Sequence, residues 1–268
     1  MKKVLITGNR GYIGTNLTTY LTKCGFKIGG IDKRDSLYCE NFKLPKKSDL
    51  FGIVHLAATA NIEYCNQNTS QAIKDNIIAS QNIFEEAAEA NIPVIVASSQ
   101  AVKNPTNTYA LTKAATEEFA EHYICQGADI KILRFANVFG GKLFIETKTS
   151  VIAKFIRARQ NNEPLIINGD GQQTRDFVHV DDVCEAIMFA LYYEDPVEEP
   201  IDIGTGKGRS ILSIAQIISD NIVYNKNGNN LVGVFSNIAH TQPAYDVYSF
   251  KAKRSVEEYL QSVLDELP

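Results

Sequence analysis

Residues 3–14 read KVLITGNRGYIG, and this stretch decides the fold. Its apolar run VLI is typical of a short buried strand, and Gly8, Gly11 and Gly14 follow at once. Glycines at this spacing let a backbone approach a pyrophosphate closely, and a helix that begins there directs free N–H groups at the anion. The stretch therefore predicts a strand, a phosphate-binding loop and a helix, in that order.

The second predicted strand, at 26–31, is followed directly by Asp32. In a dinucleotide-binding unit, a carboxylate at this point accepts hydrogen bonds from the adenosine ribose and repels a 2′-phosphate. Lys33 and Arg34 come directly after it, and basic side chains there can hold that phosphate. We therefore expect Asp32 and Lys33 in a cofactor site, with NAD favoured over NADP. A glycine-rich turn that binds no nucleotide is the alternative interpretation.

Strand and helix patterns alternate as far as about residue 140. Apolar runs predict strands at 4–6, 26–31, 52–56, 94–96 and 130–135. A helix between the third and fourth of these has its apolar stripe on Ile73, Ile77, Phe84, Ala87 and Ala88. Repeated strand–helix–strand order predicts an α/β fold with a doubly wound parallel Rossmann sheet.

The second half of the chain has a looser pattern. A helix at 109–123 still belongs to the regular alternation. Beyond about residue 140, helices are predicted at 150–160, 182–191, 210–219 and 253–265, and strands at 165–167 and 201–203. Asp182, followed by Glu185, resembles a capping box at the start of one helix. The polar segment 221–230 is predicted as a loop.

These patterns divide the chain into two regions. We expect residues 1–140, with 178–204 returning to them, to form the dinucleotide-binding Rossmann domain. Residues 141–177 and 205–268 then form a small C-terminal α/β substrate-binding region.

Composition narrows the class of protein. The 268 residues are 44% hydrophobic, enough for a sizeable core, and the net charge is −4 without basic blocks, so neither nucleic acid nor a membrane is expected as a partner. Five scattered cysteines without a C-x-x-C pair fit reduced thiols in the cytoplasm. The four histidines lack metal-ligand spacing, and we expect no metal.

The stretch SSQAVKNPTNTYALTK, residues 98–113, carries the candidate chemistry. Tyr109 and Lys113 are four apart, which places them on one face of a helix. A nearby ammonium and a positively charged nicotinamide ring both favour the phenolate, so Tyr109 could exchange a proton near neutral pH. Ser99 could bond the same substrate oxygen. A solvated Tyr–Lys pair on a helix surface is the alternative.

Taken together, several segments resemble the extended short-chain dehydrogenase/reductase family, in its nucleotide-sugar epimerase and dehydratase branch. The matching segments are TGNRGYIG (7–14), HLAA (55–58), SSQAV (98–102), YALTK (109–113), LRFANVFG (133–140), GDGQQTRDFVHVDDV (169–183) and IDIGTG (201–206). The resemblance covers most of the chain.

The resemblance implies roles for individual residues. Gly8, Gly11, Tyr12, Ile13 and Gly14 would line the pyrophosphate site, with Asp32 on the ribose, Leu56, Ala57 and Ala58 beside the cofactor, and Asn76 close to it. Ser99, Tyr109 and Lys113 would be the catalytic residues, with Lys113 also on the nicotinamide ribose. Asn137 and Ser99 would contact the substrate, and Arg175 would bind the nucleotide diphosphate, for which a surface salt bridge is the alternative.

The residues after Ser99 favour one reaction of the branch. Dehydratases and decarboxylases of the family carry an acid there, whereas this chain has Gln100 and Ala101. With dehydration and decarboxylation disfavoured, the predicted activity is that of a nucleotide-sugar epimerase, which oxidises the sugar transiently to a ketone. A dehydrogenase or ketoreductase with net redox, and a regulatory protein that binds the dinucleotide without turnover, are the alternatives.

The chain is also a compact variant of the family pattern. The segment 33–54 is short and lacks a helix and the acid that usually meets the adenine, which predicts an open adenine side and weaker NAD affinity. The 100–108 segment is short as well. At Gln242, glutamine stands where the family often has a phosphate-binding arginine, so one anchor is lost. The resemblance implies a homodimer through helices at 71–90 and 109–125.

Overall fold

The computed structural model describes residues 1–45, 48–147, 149–225 and 236–267. The first elements are β1 Lys3–Thr7, α1 Tyr12–Lys23, β2 Lys27–Ile31, β3 Leu50–His55, α2 Ile62–Gln67, α3 Thr69–Ile73, α4 Ala79–Ala90, β4 Val94–Ser99, α5 Thr108–Cys125 and β5 Ile130–Phe135. They are followed by β6 Asn137–Phe139, α6 Val151–Gln160, β7 Leu165–Asn168, β8 Thr174–His179, α7 Val180–Tyr192, β9 Ile201–Ile203, β10 Gly208–Ser210, α8 Ile211–Ile218, β11 Ile222–Asn225, β12 Ser236–Asn237, α9 Gln242–Tyr248 and α10 Val256–Asp265. A π-helical turn, Lys74–Ile78, joins α3 to α4, and 3-10 turns lie at Lys33–Asp35, Cys39–Asn41 and Gln100–Lys103.

Six parallel strands form the central sheet, in the order β2-β1-β3-β4-β5-β9. On one face, Leu17 and Leu21 of α1 pack with Val183 of α7. On the other, Phe84 of α4 packs in a core with Ala120 of α5. The predicted doubly wound Rossmann sheet is therefore confirmed. Because β2 and β3 flank β1 on opposite sides, a ligand crevice opens at the carboxyl ends of β1 and β3.

A second, smaller core lies among α6, α8 and α10. Its buried members include Phe139, Phe144, Ile152, Ile156, Ile214 and Leu260. Short strands form the sheets here, with β8 between β10 and β12 and β7 beside β11. β9 belongs to the large sheet, in line with residues 178–204 returning to it, but α9 packs Ala244 and Tyr248 into the first core. The division into two regions stays a prediction.

The predicted capping box at Asp182 is wrong. The cap of α7 is His179, whose ring accepts a hydrogen bond from the Asp181 N–H at 3.1 Å. Asp182 is fully buried within the first turn, where its carboxylate accepts from the N–H groups of Lys253 and Arg254 at 3.1 and 3.0 Å. This anchor keeps 253–255 out of the last helix, which begins later than predicted.

Two further expectations differ from the structure. The predicted apolar stripe fails at Ile73, which is 39% exposed, because the extra residue of the π turn rotates the helix. Ala72, Asn76 and Ile83 face inward instead. Within the predicted loop at 221–230, Ile222–Asn225 form β11, and 226–230 lie outside the described residues.

Three chemical features of the described residues bear on the possible ligands. None of their helices is both long and apolar enough to span a membrane. They contain no group of three or more His, Cys, Asp or Glu side chains arranged to hold a metal ion. All five cysteines are among them, and each is a free thiol.

Candidate active site

The phosphate loop fits closely against the end of β3. Gly8 has φ +69°, and a Cβ there would lie 2.9 Å from the backbone nitrogen of Ala57. A Cβ at Gly14 would lie 2.1 Å from the Gly8 carbonyl oxygen. Both positions therefore require glycine for steric reasons.

The N-terminus of α1 is open to an anion. The helix begins at Tyr12 after Gly11, and among the described residues no side chain caps it and no acid stands in its first turn. Its first N–H groups are therefore available to a phosphate. The Tyr12 side chain points elsewhere, since its hydroxyl donates to the Gly140 carbonyl at 2.7 Å and burial raises the pKa of its phenol. Only the backbone of Tyr12 and Ile13 lies at the loop.

Asp32 stands at the end of β2 with little exposure. Its carboxylate accepts from the Arg10 N–H at 3.1 Å and the Arg34 N–H at 2.9 Å, which fixes it beside the loop. Lys33 also lines the cleft, where its ammonium lies 3.5 Å from Asp75 and 3.4 Å from the Thr59 hydroxyl. A carboxylate at this point of the fold repels a 2′-phosphate, and the ammonium of Lys33 is paired with Asp75, so the arrangement favours NAD over NADP.

The cleft continues past Asp32 to the adenine side. One wall is the short connection after β2, with Leu37, Tyr38, Cys39 and Glu40, and the other consists of Thr59, Asp75 and Ala79 beyond Ala58. The adenine side therefore has two walls although the 33–54 segment is short, and the expected weaker NAD affinity stays a prediction. The 3-10 turns that replace the missing helix line the cleft themselves.

Asn76 lies behind the cleft and not on its surface. It is fully buried, its carbonyl accepts from the Thr59 N–H at 2.7 Å, and its amide donates to the Thr59 carbonyl at 3.0 Å and the Thr112 hydroxyl at 2.9 Å. The Thr112 hydroxyl in turn donates to the Tyr109 carbonyl at 2.8 Å. Asn76 thereby connects the loop after β3 to the first turn of α5.

The structure brings Ser99 and Tyr109 together. Ser99 ends β4, and Tyr109 lies in the first turn of α5, which Asn107 caps by accepting from the Ala110 N–H at 3.0 Å. Burial raises the pKa of Tyr109 to about 12, and a hydrogen bond with Ser99 acts in the opposite direction. The expected lowering of this pKa is thus outweighed by burial in the absence of bound charge. The phenol is protonated at neutral pH and can donate a hydrogen bond.

Lys113 is buried one turn beyond Tyr109. Burial lowers the pKa of its ammonium to about 8, and the charge of Glu117 acts against that shift. At neutral pH the side chain therefore remains mostly charged.

Glu117 is a site residue that the sequence reasoning missed. Its buried carboxylate is held by Arg134, whose Nε lies 3.0 and 3.1 Å from the two oxygens, and by the Ser98 hydroxyl. The available signal was the i, i+4 repeat Tyr109, Lys113, Glu117 on one helix face. The carboxylate stabilises the charged form of Lys113 from behind.

Two of the predicted substrate residues lie on neighbouring strands, Asn137 on β6 and Arg175 on β8. Asn137 follows β5, whose last residue pairs with Ser99 in the sheet, and its amide donates to the Asp176 carbonyl at 3.1 Å. Arg175 is on β8, the strand that pairs with β6, and burial lowers the pKa of its guanidinium. The amide of Gln242 donates to Asp246 of its own helix at 2.7 Å.

The chain belongs to the NAD dependent epimerase/dehydratase family, whose sequence model matches residues 4–204. It is 28% identical over 256 residues to a UDP-N-acetyl-alpha-D-glucosaminuronate decarboxylase from Bacillus cytotoxicus, covering 81% of this chain and 79% of that protein. It is 26% identical over 259 residues to a UDP-glucuronate 4-epimerase from Thermodesulfobacterium geofontis, covering 80% and 78%.

Among solved structures, MoeE5 in complex with UDP-glucuronic acid and NAD superposes with a TM-score of 0.86 at 27% identity, covering 98% of both chains. The extended short-chain dehydrogenase/reductase resemblance is therefore confirmed. The protein is an enzyme of this NAD-dependent family, and NAD is its cofactor. Relatives with different reactions align at similar identity, so similarity leaves the reaction open.

His55 supports the phosphate loop from below. It is 1% exposed at the end of β3, with Nδ1 2.7 Å from the Thr7 hydroxyl and Nε2 2.8 Å from the Ser80 hydroxyl. Burial, assisted by the charge of Lys113, lowers the pKa of this ring from about 6.5 to about 3. The ring is therefore neutral in the folded protein.

We expect the protein to lose stability as the pH falls below about 6.5, because the unfolded chain then binds a proton at His55 that the folded chain excludes. This contribution is fully present above that pH and is lost progressively towards about pH 3. Urea unfolding at about pH 7 and about pH 5 should show a decrease of about 2 kcal/mol from this ring, and His55→Gln should remove that part of the decrease.

The matched control is His122→Gln, since His122 is exposed on α5. It should keep the wild-type dependence on pH. An unchanged slope in His55→Gln would show that the ring does not carry the effect.

Proposed function

We propose that the enzyme is an epimerase that inverts a hydroxyl-bearing carbon of a nucleotide sugar through a transient keto sugar. The observation that carries this proposal is the Ser99–Tyr109 pair backed by Lys113, with Gln100 and Ala101 directly after the serine. The pair moves one proton, and the residues after Ser99 offer no second acid. Dehydration and decarboxylation need such a group, whereas epimerisation does not.

Bound NAD supplies an acceptor and donor of hydride, and its positive ring favours the Tyr109 phenolate. Tyr109 takes the proton of the sugar hydroxyl as the carbon is oxidised, and returns it when the carbon is reduced on its other face. Ser99 holds the reacting oxygen throughout. Lys113 lies one helical turn from Tyr109, and a positive charge close to a phenol favours the phenolate.

Several further residues are assigned by this proposal. Gly8, Gly11 and Gly14, with the backbone of Tyr12 and Ile13, hold the pyrophosphate, and Asp32 holds the ribose. Leu56, Ala57 and Ala58 line the cofactor cleft, while Asn76 acts by positioning the loop and helix beside it. Asn137 contacts the sugar and Arg175 the diphosphate, where a guanidinium offers paired donors.

The substrate class is proposed from the relatives. UDP-sugars stand in the names of the two curated relatives and of the superposed structure, which supports a UDP-hexose or UDP-hexuronic acid. A dehydrogenase or ketoreductase with net redox uses the same residues and is the second candidate. It is distinguished by accumulation or consumption of NADH. The free thiols support a cytoplasmic location.

The test is a panel of UDP-glucose, UDP-glucuronic acid and UDP-N-acetylglucosamine incubated with the NAD-loaded protein. One sugar should be inverted, as followed by proton NMR, without net NADH. Tyr109→Phe should lower turnover by about 100-fold or more because the proton-transfer group is lost, and NAD affinity should change little.

Tyr192→Phe is the control for this substitution, since Tyr192 is half exposed on α7. It should retain wild-type turnover. Net NADH formation would favour the dehydrogenase, and full activity in Tyr109→Phe would contradict the assigned chemistry.

We further propose a homodimer through the face of α4 and α5. Ile78 and Phe119 are 49% and 41% exposed there, and they line a shallow groove with Gln81 and Tyr123. A contiguous apolar surface of this kind is costly in water and is typical of an interface. Packing the same face of two copies together would give a two-fold dimer.

Sedimentation at micromolar concentration should show a dimer in the wild type and a monomer in Phe119→Glu, because a carboxylate would be buried without a partner. Ile166→Glu is the control, since Ile166 is 60% exposed on β7 in the second region. A monomeric wild type, or a dimer that tolerates Phe119→Glu, would contradict the proposed interface.

A further inference from the structure

The adenine end of the cofactor cleft is built differently from the rest of it. Past Asp32, the cleft runs between the short connection after β2 and the π turn that precedes α4. Leu37 and Tyr38 form one side, and each is 50% exposed. Such exposure is costly for side chains of this size unless something covers them.

Side chains of α4 hold this wall in place. The Asn82 amide donates to the carbonyls of Cys39 and Phe42 at 2.7 and 2.8 Å. The Glu86 carboxylate accepts from the Leu44 N–H at 2.6 Å and lies 2.5 Å from the Lys43 ammonium. The short connection is therefore fixed against the helix and forms a defined surface.

Asp75 is the acid that the opposite wall presents to this surface. It lies on the π turn, beside the fully buried Asn76, and its side chain is 19% exposed. Its carboxylate accepts from the Thr59 hydroxyl at 2.5 Å and from the Gln71 amide at 2.6 Å. These two donors orient the group together with the Lys33 ammonium, which lies 3.5 Å from Oδ2. Oδ1, which accepts from Gln71 alone among these partners, keeps a lone pair for another donor.

We propose that Asp75 recognises the adenine of the cofactor by accepting a hydrogen bond from its exocyclic amino group, while Leu37 and Tyr38 cover the ring. The π turn makes this possible, because it directs Asn76 into the core and Asp75 into the cleft. A residue from this turn thus supplies the acid that the short 33–54 segment lacks. The inference rests on NAD as the cofactor and is independent of the proposed reaction.

Glu40 is the competing acid, since it also lines the cleft. Its carboxylate is paired with the Lys74 ammonium at 3.1 Å, and its side chain is 14% exposed. The two acids resemble each other in burial and in having a lysine partner. Exchanging each for its amide therefore gives a matched pair of variants.

The test compares NAD with nicotinamide hypoxanthine dinucleotide, in which a carbonyl replaces the amino group, by calorimetric titration of the protein. An acceptor-only carboxylate should reject this carbonyl, so the wild type should bind NAD about tenfold more tightly or better. Asp75→Asn should reduce the preference to about twofold or less, because an amide can donate to the carbonyl. Glu40→Gln should keep the wild-type preference.

Equal binding of the two dinucleotides by the wild type would overturn the inference, as would loss of the preference in Glu40→Gln alone. Should Asp75→Asn fail to fold, Thr59→Val takes its place, since it removes the hydroxyl that orients the carboxylate. A smaller preference in Thr59→Val supports the inference, and an unchanged one overturns it. Failure of the epimerase assay would not affect NAD binding, so failure of the proposed reaction can be distinguished from failure of this inference.

Discussion

The contact between the phosphate loop and the end of β3 leaves no room for a side chain at Gly8, and the backbone of the loop itself leaves none at Gly14. The backbone of β1 can therefore turn into α1 directly beside Ala57, and the uncapped helix start faces the crevice between the two strands. The Thr7 hydroxyl supports this contact from below, since it accepts from the Ala57 N–H at 3.1 Å and lies 2.7 Å from Nδ1 of the buried His55. Every other part of the cofactor cleft is placed relative to this turn, including Asp32 at the end of the neighbouring strand.

Burial is the dominant electrostatic effect in the candidate active site. It favours the neutral forms of both Tyr109 and Lys113, which opposes the charged pair that proton transfer requires. Glu117, fixed by Arg134, acts against this effect on the lysine. Bound NAD brings a further positive charge to the phenol. We therefore infer that the cofactor completes the site and readies Tyr109 for the proposed proton transfer.

The sequence was most informative where a local rule acts within a few residues. The strand–glycine–helix order, the position of Asp32 and the Tyr109–Lys113 spacing each follow from backbone geometry and appear as predicted. Predictions failed where distant segments decide. Asp182 was predicted as a helix cap from the neighbouring N–H donors alone, but the N–H groups of residues 253 and 254 donate to its carboxylate. The role of Glu117 on α5 depends on Arg134 of β5. The spacing of apolar residues did not predict the π turn, which exposes Ile73.

The central claim is that oxidation and reduction occur on one sugar within one binding event. The direct measurement uses the UDP-sugar that turns over, with deuterium at the carbon to be inverted, mixed with an equal amount of the same sugar that is ¹³C-enriched and carries no deuterium. Mass spectrometry of the inverted product should find all deuterium on the molecules that carried it at the start. Deuterium on ¹³C-enriched molecules, or in a released NADH pool, would contradict an internal redox cycle and with it the proposed epimerase.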